Sequence, residues 1–344
     1  MNIAPCDGSE QLPSCELDIV VCTCDRPESL NRLLHSILQQ KTCHTFRISV
    51  VDNHPSAFLL EDLKPLYPGV RWIAEPRQGL SFARNAGIKL SSAEIIVFAD
   101  DDLELLPGWL DSLVAPITLG RCDLVVGPVS PAHLATQAEQ LFEAYGAHGH
   151  QHSYATYDRS WLRAQRWCLP LWQIGGIGNS AVRRSAQLQA SADGFDEALG
   201  VGTPAGSFED IYFLYLLLRT NARIVREPGA RVLHTHRETL DGLSQQLANY
   251  RRGEVCFCLL VLLRHGDPRG LLHLCFFIPA WRTRLLLQEL IRRAHGKVLF
   301  PFRLMVREFM SYLMGPAALV LSLRRASRLR REPPVVRDLS TTLD

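Results

Sequence analysis

The chain has 344 residues and a formal net charge of +2, with 37 Lys and Arg against 35 Asp and Glu. This length suits one large domain with an appendage. The charge is uneven, because residues 251–344 hold 17 Lys and Arg against 7 Asp and Glu. An acidic body followed by a basic, apolar tail is not typical of a nucleic-acid-binding protein, so no nucleic-acid partner is expected.

Cysteine usage and the N-terminus indicate the compartment. The ten cysteines show neither metal-ligand spacing nor a disulfide framework, and they are typical of buried thiols in a reducing environment. Residues 1–16 are polar and contain no signal-peptide core, which predicts a flexible N-terminal segment and a cytoplasmic protein.

Short β-rich runs alternate with amphipathic stretches from residue 17 to about 130. This alternation predicts a mostly parallel, Rossmann-like α/β sheet flanked by helices. Helices are predicted to begin at Pro27 and to span residues 80–90. The predicted strands are residues 17–22, 46–51, 71–74, 95–99 and a fifth that starts at 124–126.

Three adjacent carboxylates, Asp100, Asp101 and Asp102, directly follow the predicted strand 95–99. Ligands of open α/β sheets collect outside the carboxyl ends of strands, and carboxylate oxygens suit Mg²⁺ or Mn²⁺ bound with substrate phosphates. The triplet therefore predicts a metal–phosphate site. The alternative is a solvated loop or an acidic helix start.

A second acidic pair, Glu209-Asp210, opens a predicted helix over residues 211–219. Ser207 is a plausible N-cap with Asp210 three residues later, an arrangement like the capping box. This structural explanation would account for one of the two carboxylates.

After residue 250 the sequence becomes apolar and rich in arginine. The apolar runs 255–263, 271–281 and 313–323 are shorter than the roughly 18–20 residues of a spanning helix. Arginines border them, which predicts helices lying on the inner face of the cell membrane, with residues 251–344 as a helical, membrane-surface-associated region. The alternative is a helical subdomain packed on the sheet or on a second subunit.

Taken in order, the motifs resemble family 2 glycosyltransferases of the GT-A fold. The resemblance covers roughly residues 17–240 and implies a domain over 17–250, with a nucleotide-binding half to residue 130 and an acceptor-binding half over 131–250. The Gln-x-x-Arg-Trp motif of processive members does not follow Asp210, which favours a non-processive enzyme. The matching stretches are 18–30 (DIVVCTCDRPESL), 50–53 (VVDN), 75–87 (EPRQGLSFARNAG), 194–197 (GFDE) and 209–210.

The resemblance implies a nucleotide-sugar donor, with Asp52 accepting the uracil imide hydrogen of UDP. A strand-end aspartate that only caps a turn is the alternative, and Arg77 or Arg84 could instead be surface charges. The residues that the resemblance places against the donor are Thr23, Asp25, Arg26, Asp52, Arg77, Arg84, Asp100 and Asp101.

The resemblance also implies a Mn²⁺ or Mg²⁺ cofactor bound by Asp102. A histidine near residue 236 ligates the metal in related enzymes, and His234 has the same facing on a predicted strand, so both are candidates. Asp210 is the expected general base for inversion, with Glu209 as its orienter or as the alternate base.

These residues predict an inverting hexosyltransferase that acts on a glycan or lipid-linked acceptor in cell-surface polysaccharide or glycolipid biosynthesis. A nucleotidyltransferase that makes an activated sugar would use a similar site, but residues 22–27 contain no glycine after the first strand. A non-catalytic, membrane-bound scaffold is the third hypothesis.

Overall fold

The structure is a computed structural model that describes residues 16–146, 152–294, 301–331 and 336–339. The predicted N-terminal segment, residues 1–16, lies outside the described residues except for Glu16.

The predicted alternation of strands and helices is present, and each of the five predicted strands lies within one residue of its predicted bounds. The strands of the described residues are β1 Glu16–Thr23, β2 Thr45–Asp52, β3 Val70–Ala74, β4 Ile95–Asp100, β5 Leu103–Leu105, β6 Leu124–Val126, β7 Val129–Pro131, β8 Ala155–Tyr157, β9 Asn179–Arg183, β10 Ile224–Arg226, β11 Val232–His234 and β12 Arg337–Asp338. The helices are α1 Pro27–Leu38, α2 Leu80–Leu90, α3 Trp109–Thr118, α4 Gln137–Tyr145, α5 Arg159–Ala164, α6 Arg184–Ala190, α7 Glu209–Arg219, α8 Leu240–His265, α9 Arg269–Leu272, α10 Ile278–Ala294 and α11 Phe302–Arg331.

The central sheet has nine strands in the order β12-β3-β2-β1-β4-β9-β6-β10-β8. Strands β3, β2, β1 and β4 are parallel, as the strand–helix alternation predicts. Beyond β4 the sheet is mixed, because β9 lies antiparallel between β4 and β6. A smaller sheet, β5-β11-β7, lies beside it. The predicted α/β sheet flanked by helices is confirmed.

Residues of β1 alternate between two hydrophobic cores, as the two-residue period of a strand requires. Val20 and Cys22 belong to the core that includes α7 and α8, whereas Ile19 and Val21 belong to the core beneath α1 and α3. Because both faces of the sheet are covered, its ligand-binding positions lie at the strand ends.

The region after residue 250 is continuous with the sheet domain. Helix α8 has 26 residues and runs through position 250, the predicted domain boundary. The run 255–263, which was predicted to lie on the membrane surface, is part of α8. Most of its side chains are buried in the core that α7 and α8 share with Val20 and Cys22 of β1. The interfacial expectation is therefore wrong for this run, which packs as the helical alternative predicts.

Helix α11 packs along α8 at close range. A Cβ at Gly315 would lie 2.4 Å from the Val255 side chain, so only glycine permits this approach. With 30 residues, α11 is longer than the apolar run 313–323 suggests. It is the one helix of the described residues whose length and apolar composition suit a membrane span, and 33% of its apolar window is buried in the protein.

Candidate active site

The parallel strands bring the predicted site residues to one edge of the sheet. In the β1–β2 register Thr23 lies opposite Asp52, and in the β1–β4 register Cys22 lies opposite Asp100. The first loop, the end of β2 and the aspartate triplet are therefore neighbours, as expected for the carboxyl ends of parallel strands.

Thr23 and Arg26, which lie at and just after the end of β1, donate hydrogen bonds to Asp101, the central residue of the triplet. Asp101 is buried and accepts hydrogen bonds from Thr23 Oγ1 at 2.7 Å and from Arg26 Nη1 at 2.9 Å. The same Arg26 nitrogen donates to Asp102 Oδ2 at 3.1 Å. Burial raises the pKa of Asp101 to about 6, although the Arg26 charge opposes this. Asp101 thus fixes the turn in place, with Asp100 before it and Asp102 after it.

Asp102 lies at one end of a chain of polar contacts. Its Oδ1 is 3.4 Å from His234 Nε2, His234 Nδ1 is 2.8 Å from His236 Nδ1, and His236 Nε2 is 2.8 Å from Glu143 Oε1. Burial alone would raise the pKa of Asp102, but the His234 hydrogen bond and the charges of His234 and Arg26 lower it to about 2. Burial lowers the pKa of His236, which is 4% exposed.

The two histidines therefore have different positions relative to the triplet. His234 Nε2 faces Asp102, whereas the two ring nitrogens of His236 face His234 and Glu143, neither of which belongs to the triplet. Glu143, on α4, was missed by the sequence analysis because it lies 93 residues from His236 in the chain.

Arg84 connects the aspartate triplet to the second acidic pair. This arginine of α2 is 3% exposed, and its Nη2 donates to Asp100 Oδ1 at 3.0 Å. Its Nη1 donates to Glu209 Oε1 at 2.8 Å. The guanidinium also lies 5.2 Å from the centre of the Phe195 ring. One buried cation thus compensates carboxylates from β4 and α7.

The acidic pair begins helix α7, but the capping-box expectation for Ser207 and Asp210 is wrong. The N-cap is Phe208, in the left-handed region at φ 73°, and no side-chain cap bond is present there. The Ser207 hydroxyl instead donates to the carbonyl of Asn249. Capping by Ser207 therefore does not account for Asp210.

Burial raises the pKa values of both Glu209 and Asp210, and the Arg84 charge opposes the rise. Their surroundings differ, however. Glu209 is 5% exposed and bonded to Arg84, whereas Asp210 is half-buried and its Oδ1 accepts the backbone N–H of Ile211 at 2.7 Å.

A glycine-rich turn, residues 175–179, lies between the two acidic groups. A Cβ at Gly178 would lie 2.0 Å from Asp100 Oδ2, and one at Gly176 would lie 3.5 Å from Asp210 Oδ2. The Gly178 carbonyl also accepts the backbone N–H of Asp100 at 2.9 Å. A side chain at Gly178 would collide with Asp100, whereas Gly176 is exposed and borders Asp210.

The end of β2 borders a cavity of about 890 Å³, whose lining includes Asp52, Tyr67, Trp72, Pro76 and Arg337. Asp52 is 7% exposed, and its Oδ1 accepts the backbone N–H of His54 at 2.9 Å. Burial raises the pKa of Asp52.

Asp25 and Arg77 are both paired with protein side chains. Asp25 contacts His54 Nδ1 at 2.9 Å. Arg77 forms a two-pronged pair with the buried Glu75, with 2.9 Å for Nε–Oε1 and 2.6 Å for Nη2–Oε2. The sequence analysis also missed Asn53. Its side-chain amide stabilises the loop of residues 75–79, because it donates to the Glu75 and Arg77 carbonyls and accepts the N–H of Gly79.

Comparison with known proteins identifies the family. A sequence model of glycosyl transferase family 2 matches residues 18–173. The matched stretch, a little under half of the chain, is therefore similar to family 2 glycosyltransferases. The match covers the first loop, the aspartate triplet and Arg84, so the resemblance inferred from the sequence is confirmed, and the protein is a glycosyltransferase.

Named relatives are consistent with this assignment. The glycosyltransferase is 29% identical over 264 residues to the succinoglycan biosynthesis protein ExoM of Rhizobium meliloti, covering 73% of this chain and 77% of that protein. It is 24% identical over 228 residues to the pre-mycofactocin glycosyltransferase of Mycobacterium tuberculosis, covering 65% of this chain but only 44% of that relative. The crystal structure of S. aureus TarS 1-349 has the same fold, with a TM-score of 0.50, 16% identity and 92% coverage of both chains.

Proposed function

We propose that the protein is an inverting, non-processive glycosyltransferase that transfers one or a few sugars from a nucleoside-diphosphate sugar to a glycan or lipid-linked acceptor. The observation that carries the proposal is Arg84, because it joins Asp100 of the triplet to Glu209 of the acidic pair. Donor-side and acceptor-side groups are thereby held in one site, as group transfer requires.

The cavity beside Asp52 supports a UDP-linked donor. Its volume of about 890 Å³ and its aromatic and proline lining suit a planar base, and Asp52 is the carboxylate that would accept the uracil imide hydrogen. Thr23 and Arg26 act through the triplet, since both bond to Asp101. Arg77 is held by Glu75, so in this proposal Arg84 is the cation nearer to the transferred sugar.

The residues at the triplet fit a divalent cation. Asp102 Oδ1 and His234 Nε2 are 3.4 Å apart, a separation that one ion can bridge, and the Arg26 charge beside Asp102 favours its charged form. A mixed carboxylate–imidazole set favours Mn²⁺ over Mg²⁺. When bound, the ion would supply electrophilic stabilisation of the departing diphosphate. His236 and Glu143 would orient His234 rather than ligate the ion.

Asp210 is the proposed general base, with Glu209 as a positioning residue. Glu209 is bonded to Arg84, whereas Asp210 lies beside the open space at Gly176. Asp210 would take the proton from the acceptor hydroxyl while that oxygen attacks the anomeric carbon, and a single displacement inverts the anomeric centre. The Ile211 N–H at the N-terminus of α7 partly offsets the effect of burial, which still raises the pKa of Asp210.

The proposed acceptor belongs to cell-surface polysaccharide or glycolipid biosynthesis on the cytoplasmic face of the membrane. ExoM, a relative, is named for succinoglycan biosynthesis. The C-terminal helices expose apolar side chains, which supports contact with the membrane surface through residues 251–344. Those on α10 are Leu286, Leu287, Leu290 and Ile291.

The test is UDP release from UDP-sugars with Mn²⁺, compared for the wild type, Asp102→Ala and Asp210→Asn. We expect Mn²⁺-dependent release that Asp102→Ala abolishes, and transfer that Asp210→Asn reduces while donor binding persists. Metal-independent turnover, or full activity of Asp102→Ala, contradicts the proposal. Pyrophosphate release from a nucleoside triphosphate and a sugar phosphate would favour the nucleotidyltransferase instead.

A further inference from the structure

Helix α11 has an exposed apolar stripe that ends in arginines. The helix contains one acidic residue, Glu308, which is 1% exposed and paired with Arg282. Three exposed arginines, Arg324, Arg328 and Arg331, follow the apolar residues. The exposed apolar side chains are Phe302, Val306, Phe309, Met310, Leu313, Met314, Val320 and Leu321.

The stripe and the three arginines lie on one face of the helix. Steps of three or four residues return to the same side of an α-helix, and such steps connect the exposed positions 302, 306, 309, 313, 317, 320, 324, 328 and 331. At 1.5 Å per residue, the apolar part from 302 to 321 is about 30 Å long. We call this surface the α11 stripe.

The five arginines at the end of α11 divide into two groups. Arg325 donates to the carbonyl of Gln78, and Arg330 pairs with Glu197, so these two contact loops of the catalytic domain. The other three line an open cleft of about 510 Å³ together with Leu323 and Ser327. In the part of the chain that the structure describes, no ion pair involves these three arginines.

We propose that Arg324, Arg328 and Arg331 bind the phosphates of anionic phospholipid headgroups while the α11 stripe enters the surface of the bilayer. This inference rests on the proposed function, for which it specifies the partner. Guanidinium groups match phosphate oxygens, and the apolar stems of arginine let the charge reach the headgroups from an apolar face. An apolar stripe without acidic side chains, ending in cations, complements an anionic bilayer.

The packing of α11 decides between lying on the membrane and crossing it. The opposite face of the helix is buried on the protein, with Gly315 against Val255 of α8 and with Leu319 3% exposed. Crossing would strip this face from the core, so α11 lies along the bilayer surface.

The arginine end of the α11 stripe is also the end nearest the catalytic loops. Arg325 and Arg330 contact residues 78 and 197, which lie within the stretches 75–87 and 194–197 that resemble the family. Bound headgroups would therefore lie on the same side of the protein as the active site, where a lipid-linked acceptor could reach it.

The experiment is flotation of the full-length protein with vesicles of phosphatidylcholine alone or with added phosphatidylglycerol. The test variant is Arg324→Gln/Arg328→Gln/Arg331→Gln. The control, Arg32→Gln/Arg121→Gln/Arg163→Gln, removes the same charge from exposed positions on the catalytic domain. Each arginine at an anionic surface changes binding about fivefold, so we expect a roughly 100-fold loss in the test variant.

The supporting result is binding of wild type and control to anionic vesicles only, with the loss confined to the test variant. The proposal is overturned if the test variant binds anionic vesicles as tightly as wild type does, or if the control variant loses as much affinity as the test variant. It is also overturned if phosphatidylglycerol does not increase the binding of wild type. A stable dimer that Leu313→Asp dissociates, without vesicle binding, also overturns it. UDP binding is measured without vesicles, as the rise in melting temperature on adding UDP. This measurement shows whether each variant is folded, and it tests the proposed function independently of membrane binding.

Discussion

Arg84 and Glu209 form a buried ion pair, with Nη1 and Oε1 2.8 Å apart and side-chain exposures of 3% and 6%. The two residues are 125 positions apart in the chain. Because Arg84 also bonds Asp100, the pair fixes the distance between the triplet and α7. The arrangement of the proposed catalytic residues therefore depends on one guanidinium group.

Arg84→Met should lower the free energy of unfolding by about 3–5 kcal/mol, because it leaves Glu209 buried without its cation. Urea unfolding at neutral pH measures the change. The exposed Arg121→Met is the matched control and should change stability by less than about 0.5 kcal/mol. If the two substitutions lower the free energy of unfolding by the same amount, the buried ion pair does not contribute to stability as predicted.

The acidic limb of the pH–rate profile should lie above the pH at which an ordinary aspartate ionises, about 3.9. Burial raises the pKa of Asp210, so the charged base, and with it kcat/KM, is lost as the pH falls through the raised value. Glu209→Gln removes a neighbouring negative charge but retains the Arg84 charge, so the limb should move to lower pH. A limb that moves to higher pH contradicts this electrostatic explanation.

His234→Ala should weaken Mn²⁺ binding more than His236→Ala does, because only His234 faces Asp102. Loss of an orienting residue such as His236 typically costs 10–100-fold in metal affinity. Electron paramagnetic resonance of free Mn²⁺ measures both constants. His133→Ala, an exposed histidine paired with Glu139, is the control and should bind Mn²⁺ as wild type does. The reverse order of the two site variants would assign the ligand role to His236.

Ser322→Ala should lower kcat with little change in the KM for the donor. Ser322 Oγ accepts the backbone N–H of Ala205 at 2.9 Å, and Ala205 lies in the loop that leads into Asp210. An unsatisfied buried N–H costs about 1–3 kcal/mol, so the loop should shift. Ser322→Thr keeps the hydroxyl and should restore kcat, and the exposed Ser327→Ala on the same helix should leave it unchanged. A parallel fall in kcat and stability in all three variants would indicate a general packing defect.

The sequence by itself determined the local elements and the chemical residue types. Strand β4 and the triplet after it were predictable because an apolar run sets a buried strand and its polar end sets the sheet edge. The acidic start of α7 was also visible in the sequence. The pairing of Arg84 with Glu209 was not, because it depends on the strand order that brings α2 and α7 together.

The tertiary structure decided the roles of residues that look equivalent in sequence. His234 ends β11 and His236 lies two residues beyond it, yet only packing against α4 brings Glu143 to His236. Likewise, the apolar runs after residue 250 have similar composition, but α8 is core and one face of α11 is exposed. Composition fixes how much apolar surface a helix has; which side is covered is fixed only by its neighbours in space.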